Sequence, residues 1–506
     1  MWTDRLFLFC GATSVLSLYG CGQEVKDEHP NIILIMTDQQ RGDCMGVMGN
    51  PYIHTPNMDK LANDGLLFMN GYSSVPSSTP ARSVLLTGMS PWHNGMVGYG
   101  TMAHDYKYEM PRILEECGYS TFAIGKLHYA PQRNLHGFQG AWLDESGRVH
   151  TKDFESDYRR WFRKQAPGVN PDSTGIGWND HTGKVYLLPE RLHPTAWTAD
   201  KAVEYIKAYD NERPMFLKIS FARPHSPYDP PRRFYDMYKE KQVAEPYCGE
   251  WCDEFADRPN VPDASFGDFG KEHALESRRH YYASISFIDE KIGEIIATLK
   301  ERGLYDNSLI LFVSDHGDML GDHHHWRKTY PYEGSSHIPY IMKLPAGMKC
   351  AYPKGTRMEQ VVELRDVLPT FIEAAGGTVP EDMDGLSLYT LCTRQDTSWR
   401  EYIDLEHAEY KDYKNWTALT DGKTKYIYFS STGEEQLFDI SKDKSESKNL
   451  ADEEQYWCSL ELWRQRMVNH LSERGDTYVK DGKLQRITDK IVYTPHYPGP
   501  IVEIEK

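Results

Sequence analysis

The sequence predicts an α/β fold: a large, mainly parallel central sheet flanked by helices, followed by a smaller C-terminal subdomain of antiparallel sheet plus helix. Three observations carry that expectation. A continuous apolar run at 31–36 reads as a strand buried on both faces, the habit of parallel sheets, and three further mainly apolar strands are read at 119–124, 215–221 and 309–313. Segments of helical period lie between them. Beyond about residue 395 the texture changes to short strands with tight turns. At 506 residues the chain is long enough to bury one large core and a second, smaller one.

The first run, built on Ile32-Ile33-Leu34-Ile35, stops at Thr37-Asp38-Gln39-Gln40-Arg41. Thr55-Pro56 then opens a short helix that Gly65 closes, the usual placing of Pro inside a helix start and Gly past its end. Ser78-Thr79-Pro80-Ala81-Arg82-Ser83 is a polar stretch whose Pro can start a helix. Ser78 therefore sits where free backbone N–H groups and the positive end of a helix dipole favour an anion, with Arg82 one turn away. Residues 113–117 read as helical, and the second strand ends in Gly125-Lys126-Leu127-His128. Residues 130–194 are rich in Trp, Asp, Gly and Arg with little periodicity, the texture of loops that cover a site.

A helix is expected over 196–211, and the third strand ends in Ala222-Arg223-Pro224-His225. Ile285, Ile288, Ile292, Ile295 and Leu299 mark a long amphipathic helix over 281–302. The fourth strand ends in Ser314-Asp315-His316-Gly317-Asp318. In the C-terminal part, 416–419, 425–429 and 436–440 read as strands, Asp421-Gly422 as a turn and 452–472 as a helix.

Each apolar strand thus stops at a charged or imidazole group. In a mainly parallel sheet those ends converge on one edge. One such residue alone would be an ordinary loop residue. Asp38, Lys126, His225 and Asp315 together, with Ser78 at a helix start, mark a site.

A net charge of -17 argues against a nucleic-acid partner, since a phosphate backbone attracts basic surfaces. An anionic small substrate is still compatible, because a site needs only local positive charge. Residues 1–20 carry one Arg and an apolar run too short to span a bilayer, and they read as a signal peptide. Leu18-Tyr19-Gly20-Cys21 resembles a bacterial lipobox, so Cys21 is the expected lipidated N-terminus and 21–29 a polar tether. The catalytic domain is then expected over 30–395 and the C-terminal subdomain over 396–506. Apart from Cys10 and Cys21, seven cysteines remain, an odd number without regular spacing and hence no disulfide framework. Whether Cys248 and Cys252 pair is left open.

Ser78-Thr79-Pro80-Ala81-Arg82-Ser83 with Thr87-Gly88 matches the C/S-x-P-x-R signature of the type I sulfatases of the alkaline phosphatase superfamily. The likeness extends to 31–38, to Gly125-Lys126-Leu127-His128, Pro224-His225, Ser314-Asp315-His316-Gly317, and Gly321-Asp322-His323 with Lys328 downstream. It continues to Gln436-Leu437-Phe438-Asp439 with Asn449-Leu450-Ala451. The chain resembles a bacterial, Ser-type member over essentially its whole mature length.

That resemblance implies a sulfuric ester hydrolase whose Ser78 is oxidised to formylglycine by a separate maturation enzyme. A serine sulfate would be hard to hydrolyse, whereas a hydrated aldehyde has one hydroxyl to attack sulfur and a second to expel sulfate. Asp38, Gln39, Ser78, Asp315 and His316 would hold a divalent metal, calcium. Gln39 and His316 depart from the carboxylates and Asn usual there; an amide oxygen suits a hard cation and an imidazole nitrogen suits it less. Arg82 would orient the nucleophile, Lys126 and Lys328 would bind sulfate oxygens, His128 would take a proton, and His225 would protonate the leaving oxygen. His93, Trp178, Asp180, His181 and Trp326 are candidate sugar contacts, and His323 falls at the family's His before the Lys.

The expected substrate is a sulfated carbohydrate, such as a glycosaminoglycan fragment or mucin sugar. The expected location is the periplasm or outer membrane of a Gram-negative bacterium, touching a membrane through the lipid anchor alone. Alternatives are a phosphodiesterase or phosphonate monoester hydrolase of the same superfamily, or a catalytically inactive glycan-binding lipoprotein.

Overall fold

In the computed structural model, which describes residues 29–146, 154–210, 212–257, 261–394, 398–408 and 414–501, the first apolar run is β1 (Asn31–Asp38), all eight residues buried. The leader, Cys21 and the tether lie outside the described residues. β1 is flanked by β5 (Met215–Pro224) and β6 (Ser308–Ser314), both parallel to it. β3 (Ser120–Gly125) pairs with the far side of β5. The four expected strands are therefore adjacent in the sheet.

Four more strands complete an eight-stranded sheet: β2 (Leu66–Tyr72), β4 (Gly140–Leu143), β7 (Tyr340–Lys343) and β8 (Thr356–Glu363), in the order β4-β3-β5-β1-β6-β7-β2-β8. β7 runs antiparallel to both its neighbours, and every other pair is parallel. The added strands lie outside the central four. β4 and β7 are four residues each, too short to display a period, and β8 alternates exposed and buried residues at its start.

The alternation of β1 divides the core. Ile32, Leu34 and Met36 face one layer, which holds α2 (Ser78–Thr87), α3 (Met110–Glu116) and α6 (Val367–Ala374). Ile33 and Ile35 face the other, which holds α1 (Pro56–Asp64), α4 (Pro194–Ala208) and α5 (Lys271–Glu301). Helices on both faces of a mostly parallel sheet satisfy each strand's apolar side chains and put the strand ends at one edge.

Two helices begin earlier than their apolar spacing indicates. α5 starts ten residues before 281, because its first turns bury Ala274, Ser277, Arg278 and His280 rather than aliphatics. α2 starts at Ser78 rather than Pro80, with Ser77 as N-cap, and a Pro in the first turn is compatible with that.

The C-terminal sheet is β9 (Ile403–His407), β10 (Trp416–Thr420), β11 (Thr424–Phe429) and β12 (Glu434–Asp439), antiparallel in the order β12-β11-β10-β9. Leu405, Trp416, Ala418, Ile427 and Phe438 on one face pack against Tyr72, Tyr330 and Tyr332 of the main unit. Leu419, Tyr426 and Leu437 on the other face are covered by Leu460, Trp463 and Met467 of α7 (Trp457–Leu471). Cys248 and Cys252 form a disulfide. Among the described residues no helix is long and apolar enough to cross a membrane.

Candidate active site

Strand register assembles the site. Met36 of β1 pairs with Ser220 of β5 and Val313 of β6, and Asp38 lies opposite Pro224. Asp38, His225 and Asp315 therefore leave the sheet side by side, and Gly125, opposite Ser220, delivers Lys126 beside them.

Arg82 locks this edge together from α2. Its Nε donates to Asp315 Oδ2 at 3.0 Å and its Nη2 to Asp38 Oδ2 at 3.1 Å. Its Nη1 donates to the Lys126 carbonyl at 2.7 Å and to Ser220 Oγ at 3.0 Å. The guanidinium is fully buried and joins four segments of chain. Burial alone would lower its pKa, but Asp315 and Asp38 raise it, so the charge is kept.

Lys126 Nζ lies 2.6 Å from Asp38 Oδ2. Burial alone would raise the Asp38 carboxyl, but Lys126, His225, Arg82 and Lys328 hold it well below the usual range, so it is ionised. Two buried carboxylates, Asp38 and Asp315, thus face three cations, Arg82, Lys126 and Lys328. At the strand ends themselves the cations outnumber the carboxylates, which suits an anionic substrate in an otherwise acidic protein.

Ser78 stands at the centre of the edge. Its Oγ accepts from Lys328 Nζ at 3.2 Å and lies 3.0 Å from His316 Nε2. Nδ1 of His316 donates to the Gly317 carbonyl at 2.9 Å, which leaves Nε2 without a proton when the ring is neutral. Burial pushes His316 down to about 4, so the ring is neutral near pH 7 and Nε2 accepts or ligates.

The residues fit a divalent cation. Ligand atoms of Asp38, Asp315 and His316 lie within 4.8 Å of one another, with His316 Nε2 at 3.6 Å from Asp315 Oδ1 and 3.9 Å from Asp38 Oδ1. Asp38 Oδ1 and Gln39 Oε1 are buried with no hydrogen-bond partner among the described residues. Buried polar atoms of that kind need a counterpart, and a set of two carboxylates, an amide oxygen and an imidazole suits a divalent cation.

Both histidines at strand ends are held by the backbone. His225 is fixed through Nδ1, which bonds the Ser226 carbonyl at 2.8 Å. His128 adopts a left-handed φ of 64°, unusual for a residue with a Cβ. Glu145 stabilises that turn, its Oε1 accepting from the Leu127 and His128 N–H groups at 2.7 and 2.8 Å.

The candidate sugar contacts are engaged elsewhere. His181 stacks on Trp326 at 4.3 Å and bonds His273 at 2.7 Å, and Trp326 Nε1 donates to the Gly267 carbonyl at 3.1 Å. His323 accepts from the Gly249 N–H at 3.0 Å and packs on Trp251. Asp180 closes a turn by accepting from the Gly177 N–H, and Trp178 lies under Arg223 at 5.5 Å. His93 bonds Asp384 at 2.9 Å. Among the described residues none of these contacts joins them to Ser78.

Three supporting residues were not singled out in the sequence. Ser220 lies inside an apolar strand and Glu145 inside aperiodic sequence, so neither carries a local signal. Asp318 did carry one, at the end of Asp315-His316-Gly317-Asp318. It accepts from Gln39 Nε2 at 2.6 Å, from the Leu320 N–H at 3.0 Å and from the Arg327 N–H at 2.9 Å.

The sulfatase family model matches residues 30–377, and the C-terminal model of N-sulphoglucosamine sulphohydrolase matches 321–473. An arylsulfatase of Clostridium perfringens is 38% identical over 469 residues, covering 90% of this chain and 97% of that one. A choline-sulfatase of Rhizobium meliloti is 32% identical over 445 residues, covering 84% and 82%. A structure solved in complex with its substrate D-glucosamine-2-N,6-O-disulfate superposes with a TM-score of 0.71 at 22% identity, covering 89% of this chain and 99% of that one. With its strand-end site and a family match across most of its length, the chain belongs to the sulfatase family.

Proposed function

We propose that this sulfatase removes sulfate from sulfated carbohydrates, using Ser78 oxidised to formylglycine and a calcium ion held by Asp38, Gln39, Asp315 and His316. One observation supports the reading above the others: Ser78 Oγ lies between His316 Nε2 and Lys328 Nζ, on an edge where Arg82 fixes both carboxylates. The structural relative that holds a disulfated glucosamine supports the choice of a sugar as leaving group.

Held by Asp38, Gln39, Asp315 and His316, a cation would withdraw charge from a sulfate oxygen, and formylglycine at position 78, once hydrated, would supply the attacking hydroxyl. The remaining steps belong to the side chains. Lys126 and Lys328 bind sulfate oxygens and offset the charge that builds as the ester S–O bond breaks. Arg82 holds Asp38 and Asp315 so that neither turns toward the substrate. His225 protonates the departing sugar oxygen; since its Nδ1 is committed to Ser226, that proton leaves from Nε2. His128 takes the proton whose loss lets sulfate depart.

Export through the 1–20 leader, lipidation of Cys21, and maturation by a formylglycine-generating enzyme belong to the same proposal. So does the division into a catalytic domain over 30–395 and a subdomain over 396–506. The test is turnover of a panel of monosaccharides sulfated at known positions, beside an aryl sulfate and a phosphodiester. Preferred hydrolysis of one sugar sulfate is expected, and a preference for the phosphodiester would overturn the reading.

A further inference from the structure

β9 of the C-terminal sheet reaches the catalytic edge through its last residues. The Glu406 N–H donates to the Ser74 carbonyl at 2.8 Å, four residues before Ser78, and the Ala408 N–H to the Val97 carbonyl at 2.7 Å. Between them is His407. Its cross-strand partner is Trp416, whose Nε1 donates to the Thr329 carbonyl at 2.9 Å, next to Lys328. His407 and Trp416 share the face of the sheet that packs against the main unit, since directly opposed residues of an antiparallel pair point the same way. The imidazole is thereby bracketed by the segments that carry Ser78 and Lys328.

The proposed mechanism leaves this imidazole unused. Nδ1 bonds the Ala408 carbonyl, so Nε2 is the acceptor of a neutral ring. That Nε2 is buried, in a residue only 2% exposed, and has no hydrogen-bond partner among the described residues. The hydroxyls of Ser74 and Ser77 on the facing segment are in the same condition, although Ser77 is an N-cap whose hydroxyl would ordinarily bond the helix. His407 also borders a solvent-open cavity lined by Val97, Glu406, Ala408 and Trp416. Burial, with Lys490 adding to it, pushes His407 down to about 4, so the ring is uncharged in working conditions.

Unsatisfied buried acceptors and hydroxyls beside a reacting centre call for a partner of matching chemistry. A neutral imidazole nitrogen suits a hydroxyl donor; a quaternary ammonium has no proton to give it, and an unsubstituted aryl ring has none either. We propose that His407 is a specificity-determining residue, accepting through Nε2 a hydrogen bond from a hydroxyl of the sugar that carries the scissile sulfate. This rests on the reading of the substrate as a sulfated carbohydrate.

The experiment uses the full-length enzyme matured by co-expression, comparing wild type, His407→Ala and His407→Gln on the best sugar sulfate and on 4-nitrophenyl sulfate. His407→Ala is expected to lower kcat/KM for the sugar about tenfold, the scale of one lost hydrogen bond, with aryl sulfate turnover changed less than about twofold. His407→Gln, whose amide oxygen can accept, is expected to recover part of the loss. Equal losses on both substrates, or none, would overturn the inference while leaving the function standing. A wild-type enzyme that hydrolyses the aryl sulfate but no sugar sulfate would overturn both. Monodeoxy sugar sulfates on wild-type enzyme give a measurement independent of any variant's folding: one missing hydroxyl should cost about tenfold, and full tolerance of every deoxygenation counts against His407.

Discussion

Gln39 Nε2 donates to Asp318 Oδ2 at 2.6 Å, and that one bond decides which end of the amide the site receives. With the nitrogen committed, Oε1 is the end left over, buried and without a hydrogen-bond partner among the described residues. Gln39 itself has a left-handed φ of 71°, held in part by its N–H bonding Asp315 Oδ1 at 3.0 Å. Asp318 also accepts the Leu320 and Arg327 N–H groups, so one carboxylate orients a candidate cation ligand and shapes the loop that presents Lys328.

Asp318→Asn is therefore expected to weaken cation binding. Its amide can offer Gln39 either an oxygen or an N–H, and the charge that favoured one flip of Gln39 is gone. Partners behind a ligand are typically worth 10–100-fold in metal affinity. Calcium titration by calorimetry should show a loss of about tenfold or more, and an unchanged Kd would remove Asp318 from this role.

Ser78→Ala should reduce turnover to background while leaving calcium binding largely intact, because the other four expected ligands, Asp38, Gln39, Asp315 and His316, remain. Calcium-dependent thermal shift, read beside turnover, checks both halves. Residual activity in a fully sequenced variant would point to a different nucleophile.

Arg82→Met should be destabilising by about 3–5 kcal/mol, the scale for breaking a buried ion pair and stranding its partner. Here two carboxylates, Asp38 and Asp315, lose the same cation. Added calcium neutralises the same pair, so the loss in Tm should be smaller with calcium than with a chelator. An equal loss in both buffers would mean that Arg82 acts through packing alone.

Lys218 supplies a pH test. It lies on β5, 3% exposed, with burial first and Arg82 second pushing its pKa down to about 7. An unfolded lysine titrates near about 10.4. Across the window between those values the unfolded chain holds the proton and the folded chain does not, so stability rises with pH. Below about 7 the folded chain carries the buried charge and its full penalty. Lys218→Met should therefore stabilise more at pH 6 than at pH 9, by about 2–3 kcal/mol from the same linkage. Denaturant unfolding at the two pH values measures it, and a pH-independent difference would refute the shift.

How much of this was legible in the sequence depended on what each element buries. β1, β3, β5 and β6 are almost wholly buried, so each appears as a mainly apolar run, broken by Ser120 and Thr121 in β3 and by Lys218 and Ser220 in β5, and the charged groups at their ends stand out against it. β4 and β7 are too short to repeat a pattern, and the start of α5 buries Ala274, Ser277 and Arg278, which carry no hydrophobic signal. The same rule holds in the site. Asp38, Ser78, Arg82, Lys126, His225, Asp315 and His316 lie at strand ends or a helix start, where the sequence already marks them as candidates. Glu145 and His407 act from aperiodic sequence or a short strand, and only tertiary contacts bring them in.

Glu145 is the sharpest of those omissions, and its role is separable by substitution. Its Oε1 accepts two consecutive N–H groups, of Leu127 and His128, and so supports the left-handed turn that aims His128. Burial raises the Glu145 carboxyl, but the bonds need only an oxygen acceptor, not a charge. Glu145→Gln should therefore retain most activity, whereas Glu145→Ala should lower kcat by about tenfold or more with KM little changed, as for a lost interaction that acts on proton transfer. The pattern across the two variants is the measurement: if glutamine is as damaging as alanine, charge rather than backbone support is what Glu145 supplies.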